Sequence, residues 1–565
     1  MFVKIALLVL FFAVMTAVGI FCRKSATSVQ GFVLGGRNVG SWLTAFAFGT
    51  SYFSAVIFVG YAGQFGWKYG LAATWIGLGN ALLGSLLAWR VLGRRTRLMT
   101  QHLQSATMPD FFGRRYGSEA LKVAASAIVF VFLIPYTASL FNGLSRLFEM
   151  AFGIDYAWCV LGMAVLTGIY VLVGGYMATA VNDFIQGIVM LFGICAVVVT
   201  VLGSNGGFMK AVETLSAVSS ESAPALSGAF VSFFGPQPLY LLGVVLLTSL
   251  GTWGLPQMVG KFYAIRDENA IRKGTVISTL FAFVVAGGSY FLGGFGRLYA
   301  GSIEYTAAGT PAFDSIVPTM LQTLPDIMIA VVMILVLSAS MSTLSSLVLT
   351  SGSTLTLDII APAVRALRAR GSRRGIATVG AEGSGNGCGT ADSGTCQDRD
   401  EMCMSERSKL LCIRLLVLFF IAVSSVLAIV QAKSSVTFIA QLMGISWGAL
   451  AGAFLAPFLY GLYWKRTSKA AVWASFVAGI AVMSGCMYCT FTGRVFLSPF
   501  FTSPINAGVL AMLLGLVLVP LVSLLSLLRT DARIDASIDA SIDAMFRCYD
   551  RTVNVRAISS LEDEE

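Results

Sequence analysis

Charge is scarce in this chain: only 12% of its residues are Asp, Glu, Lys or Arg, about half of the roughly 25% usual in a soluble domain. That deficit excludes a solvated globular surface over most of the sequence. Histidine is scarcer still. His102 is alone, lies in a polar stretch and reads as an exposed loop residue. One histidine leaves no HExxH metal site, and with no GxSxG in a suitable setting an intramembrane hydrolase lacks its machinery. Cysteine is present but scattered. Cys486 and Cys489 form a CxxC inside an apolar stretch with no second pair, so they read as buried inert thiols. Cys388, Cys396 and Cys403 fall in a segment expected in the cytoplasm, where thiols stay reduced.

What the chain has is apolar sequence, 56% of its residues. It comes in blocks of about twenty, enough to cross a hydrocarbon layer roughly 30 Å thick as helices. Thirteen spans are predicted, near 2–21, 41–62, 71–92, 121–148, 156–178, 183–203, 238–258, 274–298, 325–351, 412–430, 437–462, 470–491 and 505–528. The first block resembles a signal peptide, but no small-residue cleavage site follows and Arg23 and Lys24 come directly after it. An uncleaved first span with its N-terminus outside is expected.

The formal charge of +10 reports topology rather than nucleic acid. One set of alternate loops carries Arg94, Arg95, Arg97, Arg114, Arg115, then Lys261, Arg266, Arg272, Lys273, then Arg365 to Arg374, then Lys465 and Arg466. The other set has little beyond Lys68, Lys210, Lys433 and Arg494. Such a bias places the first set in the cytoplasm, with the C-terminus inside.

Two regions read as soluble. Gly371–Glu406 is rich in Gly, Ser and Thr and reads as a flexible linker; its accidental GxGxxG has no preceding strand and no Lys-Ser/Thr. The tail contains ARIDASIDASIDA, which on a helix lines Asp531, Asp535, Asp539 and Asp543 in one stripe beside Ile534, Ile538 and Ile542. A solvated cytoplasmic helix is expected there.

The chemistry should sit at broken helices, because non-helical backbone at membrane depth is tolerated only where it is buried in protein or lines a cavity. The second span holds Gly49-Thr50-Ser51-Tyr52-Phe53-Ser54. The seventh holds Gly251-Thr252-Trp253-Gly254-Leu255-Pro256, where the proline removes a donor and clashes with the preceding turn. Either cluster alone also fits small-residue packing. Five spans apart, however, the two cross in opposite directions, and interrupted spans in matching positions of inverted halves point to a transporter's binding site.

The ninth span adds Ser338-Ala339-Ser340-Met341-Ser342-Thr343-Leu344-Ser345-Ser346. Such hydroxyls ordinarily back-bond to the previous turn. A sodium ion, a hard monovalent cation, would accept them together with carbonyls released by an unwound second span. No Asp or Glu lies in these three segments, which argues against a divalent ion. Ionisable residues inside spans are functional suspects. Asp183, opening the predicted sixth span, either favours the helix dipole or serves coupling and gating. Arg146 and Glu149 read as a structural pair near the outer end of the fourth span.

At these motifs the sequence resembles the sodium/solute symporter family, most closely its proline-transporter branch. The resemblance begins at Phe32-Val33-Leu34-Gly35-Gly36-Arg37 and continues through Thr44-Ala45 and the Gly49–Ser54 break. It then takes in Ser145–Glu149, Gly174-Gly175, Asp183 with Gln186, Ala339–Leu344 and Trp464-Lys465-Arg466. It implies a leucine-transporter-like core of five plus five helices in inverted repeats, with the first helix of each repeat broken. The expected units are a peripheral span and FxLGGR loop at 1–40, a first repeat at 41–203 and an extracellular loop at 204–237. A second repeat at 238–462, with a cytoplasmic linker at 359–411, precedes two peripheral spans at 463–528 and a tail at 529–565.

The resemblance also implies a sodium site built from the carbonyls of Thr50, Phe53 and Ala339 and the hydroxyls of Ser342 and Thr343. Ser54 matches a substrate-contacting position, and Trp253 and Pro256 lie in the same break of the seventh span. Tyr52 stands where that branch has an aspartate important for transport. Thr248 and Thr252 replace its aromatic pair around proline, which implies a reshaped pocket open to another amino acid, a small carboxylate or a vitamin-like anion.

The function expected is therefore a sodium-coupled symporter in a plasma or bacterial inner membrane, with sodium, a small organic solute and the lipid bilayer as partners and no nucleic acid. A uniporter or proton-coupled carrier on the same fold is the rival. A sensor derived from a transporter would need a phospho-accepting histidine, and none follows Leu528.

Overall fold

The fold is that of a computed structural model, described for residues 2–305, 309–322, 324–369, 404–432, 439–492, 503–528 and 540–553. The Gly371–Glu406 linker, apart from its last residues, and Asp531, Asp535 and Asp539 of the tail stripe lie outside the described residues. So do the side chains of Arg146 and Glu149.

Among the described residues the secondary structure is helical, with only isolated bridges between extended residues. Ten helices are long and apolar enough to cross a membrane, and a further bent pair, Pro238–Gly254 with Pro256–Tyr263, passes the same test together. Each predicted span overlaps helix among the described residues, but several boundaries differ. The third runs on to His102, so that exposed histidine ends a helix rather than occupying a loop. The ninth continues past 351 to Ala369.

The predicted gap between 178 and 183 is helical as well. One helix is assigned over Tyr156–Ser204 and is broken only at Gly175, whose φ of 55° and ψ of −151° suit glycine alone. A Cβ there would come within 3.1 Å of the Phe32 backbone. Asp183 therefore lies eight residues beyond the break, fully buried, and not at a helix N-terminus. Proximity to the helix dipole is no explanation for it.

The two predicted interruptions are present and alike. Ser41–Tyr52 ends at Phe53 with φ −85° and ψ 123°. Pro238–Leu250 passes through a tight turn at Gly251–Gly254 and stops at Leu255 with φ −89° and ψ 118°. Pro256 then restarts the helix from its first position, where its missing N–H costs nothing. The bend across this second break is 48°.

Small residues set the packing, as expected where lipid offers no hydrophobic drive between helices. Gly66 and Gly293 bring the helices Ala62–Tyr69 and Glu268–Gly293 into backbone contact: a Cβ on Gly66 would stand 2.0 Å from the Gly293 carbonyl oxygen. The most apolar stretch of Ala440–Tyr463 is 94% buried, whereas that of Pro504–Leu527 is 33% buried. Large apolar side chains such as Trp158, Phe192 and Val199 stay exposed, as a lipid-facing surface requires.

The described part of the tail is not free in solvent. Phe546, Cys548 and Val553 are buried, and Asp543 pairs with Lys465 at 2.6 Å. The Arg95 guanidinium lies between the rings of Tyr463 at 4.0 Å and Tyr549 at 4.6 Å. Arg94 donates to the carbonyls of Tyr549 and Arg551 and pairs with Glu268. Of the repeat itself only 540–544 is described, and it is helical and exposed apart from a half-buried Ile542; the segment that follows it is the part seated on the protein. Aromatic residues inside a polar tail were the signal for this.

Candidate ion and solute site

Ending a helix at Tyr52 leaves the carbonyls of its last turn without i+4 partners. The Asp326–Thr354 helix passes beside that end and brings its hydroxyl run against it. Ser342 Oγ donates to the Thr50 carbonyl at 3.3 Å and to the Ala339 carbonyl at 3.1 Å. Thr343 Oγ1 reaches the carbonyls of Thr50 at 3.2 Å, Phe53 at 3.3 Å and Ala339 at 3.1 Å. All of these residues are buried. Two hydroxyls and three carbonyls thus converge, and they are the five residues anticipated from the sequence. The ordinary back-bond to Ala339 is also made, so the same hydroxyls serve helix and break.

The anticipated solute residues do not share one cavity. Ser54 Oγ is buried and makes no well-formed hydrogen bond. Thr248 Oγ1 is spent on the Val244 carbonyl at 2.9 Å, and Thr252 Oγ1 on the Ser249 carbonyl at 2.8 Å. Trp253 Nε1 donates to the Leu83 carbonyl at 3.1 Å. Tyr52 and Thr252 line one small cavity with Asn80, Gly84 and Ser85, and the Tyr52 hydroxyl takes a hydrogen bond from Asn80 Nδ2. Pro256 lines another with Gln257, Lys261, Tyr176 and Ser346.

Sequence reasoning missed several buried polar groups around the breaks. The hydroxyls of Tyr61, Tyr136 and Tyr290 and the indole N–H of Trp447 are buried and make no well-formed hydrogen bond. The Tyr136 and Trp447 rings meet edge to face with centroids 6.0 Å apart, and Tyr52 and Trp447 lie 5.8 Å apart. Nothing in the local pattern distinguishes these aromatics from core residues.

Lys261 is a correction. Counted among cytoplasmic loop charges, it is instead buried on the Pro256–Tyr263 helix. Its Nζ lies 3.5 Å from Asp183 Oδ2. The signal was available in principle, because a carboxylate inside an apolar span needs a cation from somewhere.

Among the described residues, no group of three or more His, Cys, Asp or Glu side chains is placed to hold a metal ion. The buried oxygens at the first break are neutral hydroxyls and carbonyls. That donor set suits a weakly charged hard cation and offers a divalent ion no compensating charge.

The family model for the sodium:solute symporter family matches residues 32–375. Among characterised relatives, the osmoregulated proline transporter OpuE of Bacillus subtilis is 26% identical over 479 residues, covering 84% of this chain and 86% of its own. Sodium/proline symporter 2 of Staphylococcus saprophyticus is 27% identical over 484 residues, covering 84% of each. The solved structure of a Na+-coupled sialic acid symporter in a substrate-bound outward-open state superposes with a TM-score of 0.68. That match spans 92% of this chain and 98% of the other at 16% identity.

Proposed function

Because the chain belongs to the sodium:solute symporter family, we propose that it imports a small organic solute across a plasma or bacterial inner membrane, driven by sodium, through alternating access. The observation that carries this reading is the convergence of the Thr50, Phe53 and Ala339 carbonyls with the Ser342 and Thr343 hydroxyls. Sodium needs several oxygens and little formal charge, and a hydroxyl that now donates to a carbonyl can turn a lone pair to an ion.

The reading extends to the architecture: thirteen spans, N-terminus outside and C-terminus inside, with 41–203 and 238–462 as inverted five-helix repeats. The matching backbone at Phe53 and Leu255 supports that pairing. Sodium binds between the second and ninth spans and favours the outward-open form. The solute then docks near Ser54 and on the unwound part of the seventh span around Thr248, Thr252, Trp253 and Pro256, with Tyr52 and Asp183 assisting coupling. One repeat-based bundle then rocks against the other and opens the site inward. One charge moving down about 100 mV supplies roughly 2.3 kcal/mol, more than a tenfold solute gradient.

The two named relatives are proline carriers, and proline is one candidate solute. Thr248 and Thr252 give the break small hydroxyls, which also suits other amino acids or a small carboxylate. Uptake into proteoliposomes of labelled proline, other amino acids, acetate, lactate and pantothenate, with and without an inward sodium gradient, tests the reading. One solute whose uptake collapses without sodium is the expected result. Equal uptake with potassium in place of sodium overturns it.

A further inference from the structure

A second group of oxygens lies beside the five-residue cluster, and it already contains a positive charge. Asp183 is fully buried, and by geometry neither of its carboxylate oxygens accepts a hydrogen bond. The Lys261 ammonium stands 3.5 Å from Oδ2, its own side chain 4% exposed. It donates not to the acid but to Ser346 Oγ at 2.9 Å, and it lies 5.2 Å from the Tyr176 ring centroid. Ser346 Oγ is also 2.9 Å from Ser51 Oγ and donates to the Ser342 carbonyl at 3.2 Å. Ser51 and Ser342 are thus shared neighbours: each belongs to, or adjoins, the cluster around Thr50.

Around the position of the Lys261 ammonium, a buried carboxylate oxygen and the Ser346 hydroxyl are oxygens of the kind that hold a hard monovalent cation. The carboxylate charge cannot stand alone away from water, and removing its counter-charge leaves a severe penalty. We propose that the Lys261 ammonium is a tethered cation filling what would otherwise be a second sodium seat on Asp183, so that the wild-type chain takes a single sodium ion, at Ser342 and Thr343. This rests on the sodium reading above. It assigns the stoichiometry to one side chain, reaching from the second half of the broken seventh span across to the Asp183 helix.

The test is equilibrium binding of radiolabelled sodium, without solute, to the purified full-length protein. The wild type is expected to bind one ion per chain, and Lys261→Arg to keep that count. Lys261→Ala should bind a second ion, and Lys261→Ala with Asp183→Asn should return to one. A folded Lys261→Ala protein that still binds one ion overturns the proposal. So does a wild type that binds two, a result independent of whether any variant folds. Ser342→Ala with Thr343→Ala separates this from the parent reading. If the wild type binds one ion and this double variant retains it, or if the wild type binds none, the sodium site itself is wrong.

Discussion

Thr343 Oγ1 donates within 3.3 Å of the Phe53 carbonyl, the oxygen freed by the extended residue at which the first break begins. Across the same gap the Thr50 carbonyl takes both Ser342 and Thr343 hydroxyls. A hydroxyl directed at a charged group is worth about 1.5–3 kcal/mol. Ser342→Ala and Thr343→Ala should therefore each raise the sodium concentration for half-maximal uptake by roughly tenfold or more. The double variant should lose sodium stimulation altogether. Uptake titrated against sodium at fixed solute checks this, and an unchanged half-saturation in the double variant refutes the site.

Ser54 presents the opposite case, a buried hydroxyl that makes no well-formed hydrogen bond, with the Tyr136 hydroxyl as its polar neighbour. Removing such a group costs the fold little, since no well-formed hydrogen bond is lost. Ser54→Ala should leave the thermal midpoint in detergent unchanged or slightly higher. If the solute supplies the missing bond, KM should rise about fivefold, the equivalent of one hydrogen bond near 1 kcal/mol. A fall in stability with an unaltered KM would place Ser54 in the core rather than in the pocket.

The Gly66–Gly293 contact admits no side chain, because the nearest atoms to a Cβ on Gly66 are backbone. Backbone cannot step aside as a flexible side chain can. Gly66→Ala should cost about 1–3 kcal/mol by overpacking, read as a lower temperature of irreversible inactivation. Gly153→Ala, at an open position outside that contact, should cost less despite its left-handed backbone.

Burial pushes the Cys548 thiol up to about 12, against the smaller opposing pull of Arg551 and Arg94. The thiolate is the reactive form. At pH 8 about one molecule in 10,000 carries it there, and alkylation should be slow even before steric protection is counted. In a protein whose other cysteines are replaced, Arg95→Ala should speed labelling, because Arg95 holds Tyr549 against Tyr463. The rate should also climb as pH rises. Fast labelling of the unaltered tail at pH 8 would show that the segment is not seated.

The breaks were legible because their cause is local. Gly, Pro and hydroxyl side chains interrupt a helix wherever they cluster, and the Ser342–Thr343 pair declares its chemistry by composition. What stayed hidden depends on partners from elsewhere. Asn182 and Asp183 looked like a helix start because polar residues usually mark an end; only Lys261, distant in sequence, explains a carboxylate there. Lys261 in turn looked like one more cytoplasmic charge, because Arg266 and Arg272 follow it. The Gly174-Gly175 pair is visible in the sequence, yet periodicity alone does not say that the helix resumes immediately after it. Asn80, a lone amide in an apolar run, gave no sign that it would meet Tyr52.

The Ala440–Tyr463 helix is enclosed almost wholly by other protein. A helix at the lipid boundary has one side on which any apolar residue will do, and its tolerance for replacement rises and falls every 3.6 residues. This one has no such side. Gly448 and Gly452 already meet Gly508, Met483, Ala511 and Gly479 at close range, and Phe454 and Phe458 are filled in by Phe112 and Phe111. A saturation scan along it should show intolerance without rhythm. Drift in this segment across descendants of a common ancestor should then come as paired exchanges with the helices around it, rather than as single changes.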